Sequence, residues 1–115
     1  MALLREYKEI AYQWGIWKTE ESPEELLALL PDPERYEQQL TLFSSPHRKL
    51  EWLSVRVLLY QLLGEEKTIE YAPSGKPHLA DSSYFISISH TRGYVAVILS
   101  PVSEVGIDIE QYGQR

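Results

Sequence analysis

The segment from Ser45 to Gly64 constrains the fold of this chain more than any other. Ser45 suits the N-cap of a helix and Pro46 its first turn. Leu50, Leu53, Val57 and Tyr60 recur at three- and four-residue steps, and Leu58, Leu59, Leu62 and Leu63 widen the apolar stripe. Gly64 fits the left-handed position just past a helix end. The pattern predicts one long helix over residues 46–63, central to its domain.

Shorter signals surround it. Ile10, Tyr12, Trp14 and Ile16 alternate, which predicts a strand with that face buried. Ser22-Pro23-Glu24-Glu25 reads as a helix start with a capping box, and Pro31 ends the apolar run that follows. Asp32-Pro33-Glu34 repeats the start signal for a second helix, to about Phe43. Beyond the long helix, strands are expected at residues 68–71, 84–89, 94–99 and 105–110, with Arg92-Gly93 as a hairpin turn. The order predicts an α+β fold: a mostly antiparallel sheet packed against one long and two shorter helices, in one domain spanning residues 1–115.

Composition narrows the function. The chain has no cysteine, so it holds no disulfide or thiolate metal site. No apolar run approaches a membrane span and no basic leader precedes an apolar stretch, so a cytoplasmic protein without membrane contact is expected. The net charge of −6 argues against nucleic-acid binding. Residues 1–42 hold four basic and nine acidic side chains, whereas residues 43–100 hold six basic and five acidic. Any phosphate-binding group is therefore expected in that middle stretch.

Three short motifs carry chemistry. In Val105-Gly106-Ile107-Asp108-Ile109-Glu110, strand geometry would put Asp108 and Glu110 on one face, their backbones about 6–7 Å apart, within reach of one small hard cation. The plainer alternative is a solvated strand face. Gly75-Lys76-Pro77 places an ammonium on a tight turn, suited to a phosphate or, more plainly, to an ordinary surface loop. Ser89-His90-Thr91 ends a strand with two hydroxyls and an imidazole. Ser89 and His90 do not form a hydrolase pair, because adjacent strand residues point to opposite faces. Arg48 and Lys49 lie in the first turn of the long helix, where cations oppose the helix dipole and imply an anion or a basic surface patch. Arg56, two turns on, reads as a salt-bridge partner. Trp14, Trp17 and Trp52 read as core or subunit-interface residues.

Taken in order from Arg48 to Glu110, these motifs resemble the N-terminal half of the Sfp-type 4′-phosphopantetheinyl transferases. That family carries a Gly-Lys/Arg-Pro turn, an Asn/Ser-x-Ser-His segment and a Gly-Ile/Val-Asp-Ile/Val-Glu strand at similar spacing; Ser87 stands here where many members have Asn. The resemblance implies one half of a pseudo-twofold fold, with coenzyme A as co-substrate and Mg²⁺ as cofactor. It implies coenzyme A contacts from Arg48, Gly75, Lys76, Pro77, Ser89, His90 and Thr91, with Arg48 near the 3′-phosphate. It implies Mg²⁺ ligation by Asp108 and Glu110. The activity implied is transfer of 4′-phosphopantetheine to a serine of an acyl or peptidyl carrier protein.

The family's second half, with its Trp-x-x-Lys-Glu helix, has no match in residues 1–115. Beyond the metal ligands no catalytic residue is expected here, and the chain alone is expected to be inactive. Its exposed inter-half surface is expected to pair two copies into a homodimer. The short homotrimeric synthases that prime fatty-acid carriers do not fit, since their aspartate motif lies near the N-terminus. A catalytically dead nucleotide-binding domain and a purely structural α+β domain stand as the alternatives.

Overall fold

The computed structural model describes residues 3–9 and 11–107. In chain order the elements are β1 (Leu3–Lys8), β2 (Gln13–Lys18), α1 (Pro23–Ala28), α2 (Glu34–Leu40), α3 (Pro46–Leu63), β3 (Ile69–Tyr71), β4 (Pro77–Leu79), β5 (Phe85–Thr91) and β6 (Tyr94–Ser100). The fold is α+β, with three helices and an antiparallel four-stranded sheet in the order β1-β2-β6-β5. It is compatible with half of a phosphopantetheinyl transferase fold. A separate hairpin pairs β3 with β4.

The long helix forms where its signals stand. The Ser45 side chain accepts from the Arg48 backbone N–H, and Gly64 closes the other end at φ 74°. Residues from Leu53 to Leu59 are all buried, so the helix is covered on several sides. It crosses the sheet at β2, where Gly15 makes the close approach: a Cβ there would lie 2.8 Å from Leu58 Cδ1 and 3.3 Å from Leu62 Cδ2. Val95, Val97 and Leu99 of β6 complete the core beneath it, each fully buried. Burial of this apolar surface is the main stabilising contribution.

Caps and turns follow local chemistry. The capping box of α1 is complete, with Glu25 N–H on Ser22 Oγ and Ser22 N–H on Glu25 Oε1. At α2 the expected cap is not made by a side chain; Pro33 occupies the N-cap without one, and the helix ends at Leu40, before the expected Phe43. Arg92-Gly93 does join β5 to β6, with Gly93 at φ 74°.

Two strand expectations need correction. The buried face of β2 holds Gly15 and the fully buried Trp17, whereas Trp14 and Ile16 face away from α3. Aromatic residues occupy both faces of this strand, and Gly15, the position that admits the helix, sets which one is core. The last expected strand, residues 105–110, does not begin at Val105: residues 105–107 run without strand pairing among the described residues, and 108–110 lie outside them. Strands β1 and β4 were not foreseen. No helix among the described residues is long and apolar enough to cross a membrane.

Candidate functional site

A cleft of about 720 Å³ opens between α3, the β3–β4 hairpin and the end of β5. Arg48, Trp52 and Arg56 are spaced by four along α3 and so share a face. Strand alternation sends Ile88 and His90 of β5 toward that face. The hairpin contributes Tyr71, Gly75 and Pro77. Gly75 sits at φ 90° in the tip, where its N–H donates to the Ala72 carbonyl at 2.8 Å.

Arg56 dominates the electrostatics of the cleft. It is 6% exposed, and its guanidinium carbon lies 4.0 Å from the centre of the Trp52 ring. Nη1 donates to the Trp52 carbonyl at 3.3 Å, and Nη1 and Nη2 reach the Tyr71 hydroxyl at 3.5 and 3.4 Å. Among the described residues no carboxylate pairs with it. Desolvation therefore pushes its pKa down, with Tyr71 and Tyr36 opposing. A guanidinium has five N–H donors, so these contacts leave capacity for an anion. A buried cation without a counter-charge is costly, and an anionic ligand would relieve that cost.

The mouth of the cleft adds further basic groups. Arg48 is exposed, with its guanidinium carbon 5.9 Å from the Phe43 ring centre. His90 Nδ1 lies 3.0 Å from Glu51 Oε2, and His47 Nε2 lies 3.5 Å from the same oxygen.

The cleft thus gathers Arg48, Gly75, Pro77 and His90 from the expected set. Lys76 points elsewhere: its Nζ lies 3.0 Å from Glu104 Oε1 beside a second hollow of about 360 Å³, lined in part by Pro77, Tyr84, Phe85 and Glu104. Ser89 and Thr91 occupy the opposite face of β5 from His90, in register with Ala96 and Tyr94. Asp108 and Glu110 lie outside the described residues. The described chain reaches Ile107, whose N–H donates to Ser87 Oγ at 3.4 Å. Among the described residues no cluster of three or more His, Asp or Glu side chains could hold a metal.

Glu51, Trp52 and Tyr71 carry no motif and were not foreseen as cleft residues. Arg56, expected as a salt-bridge partner, instead contacts a ring, a carbonyl and a hydroxyl among the described residues. Its signal was present: an arginine between Val55 and Val57, on a helix apolar around most of its girth, has nowhere solvated to go.

No family model matches the chain. Curated proteins do. Over 64 residues, 55% of this chain, it is 38% identical to the 4′-phosphopantetheinyl transferase AcpT of Salmonella typhi, and it matches that of Salmonella typhimurium to the same degree. The AcpT of Escherichia coli matches at 38% over the same length. This chain is similar to 4′-phosphopantetheinyl transferases. The match spans about a third, 33%, of the length of each of these relatives. The similarity to these transferases thus joins the motif order read from Arg48 onward.

Proposed function

We propose that this chain provides the coenzyme A-binding part of a Mg²⁺-dependent 4′-phosphopantetheinyl transferase acting on an acyl or peptidyl carrier protein. The observation that carries the reading is Arg56, a buried cation without a carboxylate partner among the described residues, in a cleft shared with Arg48 and His90. Three cationic or protonatable groups around one hollow suit a phosphate monoester, and coenzyme A bears one at its 3′ position. The flat apolar walls from Trp52, Phe43 and Pro77 suit the adjoining nucleoside. Lys76, which faces the neighbouring hollow, is assigned to the pyrophosphate on the motif resemblance; its exposed ion pair with Glu104 contributes at most about 1 kcal/mol and is readily exchanged.

Asp108 and Glu110 would hold the Mg²⁺, which when bound neutralises charge on the pyrophosphate. This part of the reading rests on the sequence motif. The carrier serine is the proposed acceptor, and residues 1–115 alone are expected to bind without transferring.

Calorimetric titration with coenzyme A and with dephospho-coenzyme A, which lacks the 3′-phosphate, tests the proposal. Coenzyme A should bind more tightly, and Arg48→Ala should erase most of the difference. Equal affinity for the two ligands, or binding of neither, would overturn it.

A further inference from the structure

Among the described residues lining the cleft, Glu51 alone is acidic. Its side chain is 19% exposed, so it is not a freely solvated surface group. Its Oε2 faces His90 Nδ1 at 3.0 Å and His47 Nε2 at 3.5 Å. A carboxylate only accepts hydrogen bonds, so the short contact holds a proton on His90 Nδ1. In a neutral imidazole this leaves Nε2 as a bare acceptor, which repels a phosphate oxygen. Only the imidazolium offers N–H at both nitrogens. Among the described residues lining the cleft, Arg48 and Arg56 of α3 are cations that only donate, Glu51 is the carboxylate facing them, and the Tyr71 hydroxyl of β3 accepts from Arg56 while keeping its own O–H.

We infer that Glu51 is a positioning residue that couples phosphate binding at His90 to uptake of a proton. Glu51 fixes the tautomer, so the ligand's phosphate can accept from Nε2–H only once the ring has taken a second proton from solvent. The carboxylate then balances the added charge. This rests on the coenzyme A reading of the cleft, and it adds a property which that reading does not require.

The experiment is titration of the 115-residue chain with coenzyme A in buffers of differing ionisation enthalpy. Work near pH 8 keeps the ligand's phosphate monoester fully ionised, since its second pKa is about 6. The parent should take up protons on binding. With Glu51→Gln the uptake should fall below about half the parent value, because an amide serves either tautomer. His90→Gln should abolish it, and His47→Gln should leave it in place. Ring ¹⁵N shifts of His90 in the free protein should report the Nδ1–H tautomer, and lose that preference in Glu51→Gln. Binding without proton uptake, or uptake unchanged in Glu51→Gln, would overturn the inference while leaving the coenzyme A reading intact. Uptake lost in His47→Gln but kept in His90→Gln would place the proton on the wrong histidine and overturn it too. A parent that does not bind coenzyme A would overturn both.

Discussion

Arg56 shows how stability and binding diverge at one residue. Its guanidinium is desolvated, and its contacts are a ring, a carbonyl and a hydroxyl. Replacing a buried ion pair by apolar side chains is often neutral or stabilising, and a buried charge with no carboxylate partner is costlier still to retain. Arg56→Met should therefore leave folding stability within about 1 kcal/mol of the parent, or raise it. The same change should weaken coenzyme A binding by about 1–3 kcal/mol, the scale of a charge-assisted hydrogen bond. Denaturant unfolding and calorimetry on one preparation check both halves. A large loss of stability would show that Arg56 is chiefly structural. The sequence marks such a residue only faintly, because periodicity finds apolar faces and is silent on a polar residue set within one. Glu51 was fainter still: its role comes from a histidine 39 positions later, brought beside it by the sheet.

At the scale of elements, what was legible is what is local. The N-cap at Ser22, the capped helix 46–63 and the Gly93 turn each depend on neighbours within a few residues. Strand β1 was not legible, since Leu3–Lys8 shows no alternation and exists through its pairing with β2. The inverted face of β2 has the same origin, for only the docking of α3 on Gly15 distinguishes Trp17 from Trp14. Gly15→Val should press on Leu58 and Leu62 and cost about 1–3 kcal/mol by overpacking, read as a lowered denaturation midpoint. An unchanged midpoint would mean the helix can shift freely. The site residues divided likewise: Arg48 and His90 meet in space, while Ser89 and Thr91 were parted from His90 by pleating alone.

The β3–β4 hairpin makes a pH prediction at the same scale. At its base Lys67 Nζ lies 2.6 Å from Asp81 Oδ2, and Ser83 donates to Asp81 Oδ1. The Lys67 bond, then the Ser83 hydroxyl and N–H, hold the Asp81 carboxyl well below the usual carboxylate range. A folded-state value below the unfolded one means that Asp81 contributes fully above about pH 4. That contribution fades as pH falls through the lowered folded value. Stability curves of parent and Asp81→Asn should thus run parallel above about pH 5 and converge in acid. Parallel curves down to the acid limit would rule out the coupling.

For the whole molecule, the face of the sheet turned away from α3 carries Tyr7, Tyr12 and Trp14. Tyr7 stacks at 5.7 Å on Tyr12 and at 6.2 Å on Trp14, and is 41% exposed. Phe85, at the far edge of the sheet, is 45% exposed. Apolar surface of this kind favours association, and among the described residues β1 is an unpaired sheet edge. The 115-residue chain should therefore self-associate, and Trp14→Glu should shift it toward monomer in sedimentation velocity. A parent that stays monomeric across concentration would refute this.

The buried charge of Arg56, which has no carboxylate partner among the described residues, also bears on how long the protein survives. A ligand that binds only the folded state withdraws molecules from the unfolded pool, by an amount set by its concentration over Kd. The contact of an anion with Arg56, which has no carboxylate partner among the described residues, enters that effect through Kd. The half-life of the chain under protease should accordingly lengthen with coenzyme A supply, and much less so for Arg56→Met. Steady-state abundance in a cell would then follow the size of the coenzyme A pool, making the level of the protein a record of the metabolite it is proposed to use.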